Sequence, residues 1–288
     1  MKTNHIYTGD NVEVISTFPD NCIDLTVTSP PYDLTDFQDG VLKTFPGKGL
    51  RDYQGYTWDF VSVAEQLCRI TKPGGVIVWV VGDKTENGSE SGSSFRQALH
   101  FMSLGFNLYD TMIYERMSPH PPNVRYWQEF EYMFVFSKGN AKTFNPLKQP
   151  KKLASMIRQR GTYNSIARNK AGNLTGLSDT GYARMKKASK ETMRVRSNIW
   201  MYGVGKGNTG DNLAHEHPAA FPEQLAKDHI LSWSNPDNLV LDPFVGSGTV
   251  PKMCIETGRK YVGVDCSPEY VKLAQKRVAC ARTPLFLI

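Results

Sequence analysis

Short runs in which β-branched and aromatic residues crowd together recur along this chain and read as buried strands. They lie at residues 5–8, 23–28, 76–81, 107–115, 132–136, 239–241 and 261–264. Between them, apolar residues return at helical spacing over 58–71, 93–104, 221–233, 249–257 and 267–281. The first of these helices is expected to stop at Lys72-Pro73-Gly74-Gly75, where a proline and two glycines cannot continue it. The last has a clear entry at Ser267-Pro268-Glu269, with serine as N-cap and proline in the first turn. Strands alternating with helices in this way predict an α/β fold, and seven strands are enough for one complete sheet.

Two stretches break the rhythm. Residues 33–57 are polar, glycine-bearing and flecked with aromatics, and residues 146–196 are strongly basic. Loops of that length are uncommon inside a compact domain unless they serve function, so both are candidates for gripping a substrate. Composition bounds the rest. A chain of 288 residues, 40% of them apolar, can form one large α/β domain with an insert, or two small domains. The net charge of +6 is unevenly spread. Residues 138–196 hold fifteen Lys and Arg against Asp179 and Glu191, a local +13 that leaves −7 on the remainder. An acidic body with one basic segment is the footprint of a polyanion binder, since each neutralised phosphate releases condensed counterions; a solvated basic loop is the plainer alternative.

There is no run of eighteen apolar residues, and Met1-Lys2-Thr3-Asn4-His5 lacks the apolar core of a signal peptide. No membrane partner is expected, and the cytosol is the expected location. The cysteines Cys22, Cys68, Cys254, Cys266 and Cys280 are odd in number and mostly set among apolar residues, which suits buried, reduced thiols. None follows a proline, so a Pro-Cys nucleophile for attack on a pyrimidine ring is absent.

Candidate chemistry begins at Thr28-Ser29-Pro30-Pro31-Tyr32, directly after a strand. Two successive prolines end strand pairing and hold an extended turn, so the Ser29 hydroxyl and the Pro30 carbonyl can face one point. Two convergent acceptors suit an aryl amine, whose lone pair is delocalised into its ring until its hydrogens are held, and Tyr32 adds a ring face for stacking. A rigid strand-to-turn corner is the alternative. Far along the chain, Asp242-Pro243-Phe244-Val245-Gly246-Ser247-Gly248-Thr249 reads as a strand, a glycine turn and a helix. Gly246 and Gly248 are expected to admit a nucleotide-type ligand close to the backbone. The next strand ends at Asp265, an acid placed to take two ribose hydroxyls.

These motifs, in this order, resemble those of the beta group of DNA amino-methyltransferases, in which a Ser/Asp-Pro-Pro-Tyr motif comes first, a target-recognition region follows and Asp-Pro-Phe-x-Gly-x-Gly-Thr comes last. The resemblance covers most of the chain outside the basic segment. It implies a Rossmann-like methyltransferase fold with a seven-stranded, mostly parallel sheet, built from residues 1–145 and 197–288, with a target-recognition insert at 146–196. It implies S-adenosyl-L-methionine as cofactor. Ser29, Pro30, Pro31 and Tyr32 become the catalytic motif; Asp242, Phe244, Gly246, Gly248, Thr249 and Asp265 become cofactor residues. Asp10 matches the acid that meets the cofactor adenine, and His217 and Pro218 open the segment lying against its methionine portion.

Serine at the first motif position usually resembles the cytosine-N4 enzymes and aspartate the adenine-N6 enzymes, so N4 of cytosine is the expected target, with N6 of adenine as the alternative. An RNA methyltransferase, or a nucleic-acid-binding module with a vestigial cofactor fold, is disfavoured by the serine and by intact motifs at both ends. The implied partner is double-stranded DNA; a cognate restriction endonuclease fits the same context, and monomer and homodimer both stay open. A base inside a duplex must be flipped out to be reached. Lys151, Lys152, Arg158, Arg160, Arg168, Lys186 and Lys187 are the candidate phosphate contacts. No metal is expected at His215-Glu216-His217, which lacks further ligands at suitable spacing, and Glu129 and Glu131 read as solvated surface acids.

Overall fold

A computed structural model describes residues 1–31, 34–38, 41–44, 58–116, 125–126, 128–150, 167–169, 171, 173–175, 192–203, 213 and 221–281. The chain forms two compact units, one made of Met1–Asn145 with Asn198–Ile288 and the other of Pro146–Ser197.

The larger unit is built on one eight-stranded sheet. Its strands are β1 (His5–Thr8), β2 (Ile23–Thr28), β3 (Thr71–Val81), β4 (Asn107–Arg116), β5 (Phe130–Ser137), β6 (Ile199–Tyr202), β7 (Leu239–Asp242) and β8 (Lys260–Asp265). They lie in the order β1-β8-β7-β2-β3-β5-β4-β6. All neighbours run parallel except at β5, which is antiparallel to both β3 and β4. The helices are α1 (Asn11–Ser16), α2 (Phe60–Ile70), α3 (Ser93–Ser103), α4 (Glu223–Trp233), α5 (Thr249–Glu256) and α6 (Pro268–Ala279). The continuous apolar run from Val76 to Val81 is buried throughout, as a central strand between covered faces requires. Helix α2 lays Phe60, Val63, Ala64, Leu67 and Ile70 into the same core, the i, i+3, i+4, i+7 stripe of an amphipathic helix.

Each of the seven expected strands is present, and the eighth, β6, is an addition. Its four residues alternate, with Ile199 and Met201 55% and 57% exposed and Trp200 and Tyr202 buried, too short a pattern to register beside the basic segment. The short α1, capped by Asp10, is a second addition. A third difference lies at Lys72-Pro73-Gly74-Gly75. Helix α2 ends at Ile70 and β3 starts at once at Thr71, so these four residues form an irregularity within the strand, between the pairs Ile23↔Thr71 and Leu25↔Val76. Gly74 sits there at φ +84°, and its amide donates to the Lys138 carbonyl at 2.7 Å. Part of 33–57, expected as an irregular loop, is a two-stranded ribbon pairing Leu34–Gln38 with Val41–Thr44.

Topology places the ligand crevice. From β2 the chain crosses through α2 to β3 on one side, and from β7 it crosses through α5 to β8 on the other. The loops after β2 and β7 therefore diverge, and a crevice opens at the carboxyl ends of these two neighbours, as at the switch points of open α/β sheets.

The smaller unit contains two antiparallel ribbons, Lys148–Pro150 with Met193–Val195 and Ala167–Arg168 with Leu174–Thr175. Among the described residues no helix is long and apolar enough to cross a membrane. All five cysteines are free; Cys254 is buried as expected, whereas Cys266 and Cys280 are exposed.

Candidate active site

The walls of the crevice are tied together at its base. Thr28, the last residue of β2, donates its hydroxyl to Asp242 Oδ1 at 2.7 Å, and the same oxygen accepts from the Phe244 amide at 3.1 Å. Ser29 and Pro30, half-buried and buried, leave β2 immediately beyond that clasp. The Phe244 ring lies 4.7 Å from Trp58 and 6.3 Å from Trp79, and Trp79 is the register partner of Thr28 on β3. The Ser-Pro-Pro turn and the glycine loop thus leave adjacent strands at one edge of the sheet.

Burial at this clasp acts on Asp242 itself. Desolvation raises its pKa from 3.8 to about 7, against the lowering effect of the Thr28 and Phe244 hydrogen bonds. Between those two values the folded chain holds a proton that the unfolded chain has lost, so this group's contribution to stability falls as pH rises through that window. Asp242→Asn keeps an acceptor for Thr28 and Phe244. Its melting temperature is expected to fall less than that of the wild type between about pH 4 and about pH 7; parallel melting curves would show that Asp242 takes no proton there.

Three charged side chains hold the glycine loop. Asp242 takes its first amide. Asp265, at the end of β8, accepts from the Gly246 amide at 2.8 Å and from the Ser267 amide at 2.9 Å, one bond to each carboxylate oxygen. Burial raises the Asp265 pKa and these two amides oppose that shift. Each oxygen keeps a lone pair for a ligand hydroxyl. From behind, the fully buried Arg277 of α6 donates one guanidinium nitrogen to the Ser247 carbonyl, the Ser247 hydroxyl and the Thr249 hydroxyl at 2.8, 3.0 and 3.1 Å. Its other nitrogen meets Glu223 at 2.6 Å, and Glu223 also takes Lys252 at 2.7 Å.

Sequence reasoning missed Arg277, Glu223 and Lys252. The available signal was an arginine in phase with Val271 and Ala274, on the face of α6 that is buried. Packing gives Gly248 a reason of its own beside the expected one. At φ +83° its absent Cβ would stand 2.7 Å from Ala274 Cβ, so close packing of α6 accounts for this glycine.

Asp10 caps α1, accepting from the Glu13 amide at 3.0 Å, and the Gly9 amide bonds the Asp265 carbonyl at 3.0 Å, which puts Asp10 and Asp265 on neighbouring strand ends. Tyr32, His217 and Pro218 lie outside the described residues, as do Lys151, Lys152, Arg158, Arg160, Lys186 and Lys187. Arg168 lies in a ribbon opposite Leu174. The segment His215-Glu216-His217 is also outside, and the described residues contain no cluster of metal-ligating side chains. Glu131 corrects an expectation: it is buried on β5 and ion-paired with Arg116 at 3.0 Å.

The sequence profile of the N6/N4 DNA methylase family matches residues 23–276. The chain belongs to that family. It is a DNA methyltransferase, 48% identical over 261 residues to the orphan methyltransferase M.BamHII of Bacillus amyloliquefaciens, across 90% of this chain and 89% of that protein. Solved methylase structures share the fold. The PvuII DNA methyltransferase (cytosine-N4-specific) superposes with a TM-score of 0.65 at 19% identity, over 96% of this chain and 86% of that one. A DNA modification methylase of Thermus thermophilus complexed with S-adenosyl-L-methionine gives 0.58 at 24% identity, over 96% and 95%.

Proposed function

We propose that this DNA methylase transfers a methyl group from S-adenosyl-L-methionine to the exocyclic N4 of a cytosine flipped out of duplex DNA. The observation that carries the reading is the Thr28–Asp242 clasp, which sets the Ser29-Pro30 turn beside the glycine loop. Serine at the first motif position favours N4, as does the cytosine-N4-specific PvuII enzyme among the structural neighbours. N6 of adenine is the alternative, because Ser29 offers the same acceptor to either amine.

The crevice fits the cofactor. Asp265 has acceptor capacity for two ribose hydroxyls at one strand end, and Asp10 stands at the next. Beside Asp10, the buried Asn11 Oδ1 has no hydrogen-bond partner among the described residues, an orphan acceptor of the kind a ligand N–H satisfies. Phe244 supplies an apolar contact, while Asp242, Gly246, Gly248 and Thr249 shape the loop. His217 and Pro218 are assigned to the methionine portion on the family motif alone. When bound, the cofactor supplies an electrophilic methyl on a sulfonium.

The chain's own part is to orient the nucleophile. Ser29 Oγ and the Pro30 carbonyl accept the two amine hydrogens, Pro31 stiffens the turn and Tyr32 stacks on the base. The basic unit, through Lys151, Lys152, Arg158, Arg160, Arg168, Lys186 and Lys187, holds the phosphates.

Incubation with labelled cofactor and mixed-sequence duplex DNA, followed by nucleoside mass spectrometry, tests this. N4-methylcytosine is the expected product; N6-methyladenine would overturn the base assignment, and an unlabelled DNA fraction would overturn the function. Replacing Lys151 and Lys152 by glutamine is expected to flatten the slope of log affinity against log salt by about 1.8, roughly 0.9 per phosphate contact. An unchanged slope would remove both from the interface.

A further inference from the structure

Two tryptophans among the described residues have a partner for the indole N–H. Trp79 donates to Gln97 Oε1 at 2.7 Å and Trp233 to His229 Nδ1 at 3.3 Å. Trp58 differs from these two: it is 7% exposed, and its Nε1 has no hydrogen-bond partner among the described residues. A buried donor left without an acceptor is costly, and phenylalanine would fill an apolar core position without that cost.

The place of Trp58 supplies a reason to keep the nitrogen. It precedes Asp59, whose carboxylate caps α2 by accepting from the Val61 and Ser62 amides at 3.0 and 3.3 Å. Because β2 feeds α2, that helix starts at the edge of the sheet where the Ser-Pro-Pro turn and the glycine loop emerge. There the Trp58 ring meets Phe244 edge-on at 4.7 Å, two residues beyond Asp242 in the glycine loop, and Trp79 at 6.2 Å.

We propose that the Trp58 indole N–H is a binding donor for an acceptor atom of the methyl-donor cofactor held in the crevice, so that the buried donor is satisfied only when the site is filled. This rests on the cofactor reading above. It assigns Trp58 to the binding machinery, separate from the residues that hold the glycine loop from behind.

The test uses the full chain with 15N-labelled indole nitrogens, the five tryptophans giving one N–H resonance each. Trp58→Phe identifies the Trp58 resonance by its loss, and Trp58→Tyr serves if that variant does not fold. Titration with S-adenosylhomocysteine, without DNA, is expected to move the Trp58 resonance downfield and to slow its exchange with solvent. By calorimetry Trp58→Phe is expected to bind S-adenosylhomocysteine about tenfold more weakly, the size of one hydrogen bond, while Trp233→Phe binds as the wild type does. A Trp58 resonance that stays in place, or a Trp58→Phe affinity within about twofold of wild type, would overturn the inference and leave the N–H to buried solvent. A wild-type chain that bound no S-adenosylhomocysteine would instead overturn the cofactor reading, and this inference with it.

Discussion

Ser29→Ala is expected to slow methyl transfer by about a hundredfold to a thousandfold, the range seen when one preorganised polar group at a reacting centre is removed. The amine of a cytosine or adenine is a weak nucleophile because its lone pair belongs to the ring. Acceptors that hold its two hydrogens stabilise the pyramidal geometry through which nitrogen attacks. Alanine leaves the Pro30 carbonyl in place and deletes the other acceptor. Half-buried Ser29 stands past the Thr28–Asp242 clasp, so the glycine loop has no reason to move. Single-turnover rates should therefore collapse while affinity for S-adenosylhomocysteine stays within about twofold of wild type. A wild-type rate in this variant would remove Ser29 from the catalytic motif.

The second large effect is expected at Arg277. This side chain is fully buried and gives hydrogen bonds to Ser247, Thr249 and Glu223. Arg277→Met replaces it with an apolar chain of similar length. The Ser247 carbonyl then loses this donor, and Glu223 keeps Lys252 at 2.7 Å but loses the guanidinium. Breaking one arm of a buried ion pair costs about 3 kcal/mol. In a chain of this size that lowers the melting temperature by roughly 6 to 12 °C. The loop should also lose its fixed shape, so cofactor affinity falls along with stability. Arg277→Lys, which keeps the charge and can reach only part of the acceptor set, should fall between. Equal melting temperatures for Arg277→Met and the wild type would show that the network contributes nothing to the fold.

Much of the frame was legible from local pattern. The central run Val76–Val81 is apolar throughout, and helices such as α2 repeat at 3.6 residues, so burial writes itself into short windows. Where burial is only partial the pattern thins. Strand β6 exposes every second residue and spans a single short stretch, and α1 is too brief to show a stripe. At Lys72-Pro73-Gly74-Gly75 the helix stops as expected, and only the course of the chain beyond it was open. A proline and two glycines forbid a helix, but they do not say whether the chain turns away or enters the neighbouring strand with a kink, and that was decided by pairing with β2.

The site divides in the same way. The sequence by itself determined which groups are available for the proposed chemistry: the Ser29-Pro30-Pro31 turn, the glycine loop, and the acids Asp10 and Asp265 at strand ends, because each depends on residues adjacent in the chain. Only the tertiary structure decided what they do for one another. Thr28 and Asp242 are 214 positions apart yet share a hydrogen bond, Arg277 supports a loop 30 residues before it, Gly248 answers to Ala274, and the Trp58 N–H is left without a partner among the described residues. Such roles arise from contacts between distant segments, and no local window carries them, since the strand order that brings the segments together is set by burial of the whole sheet.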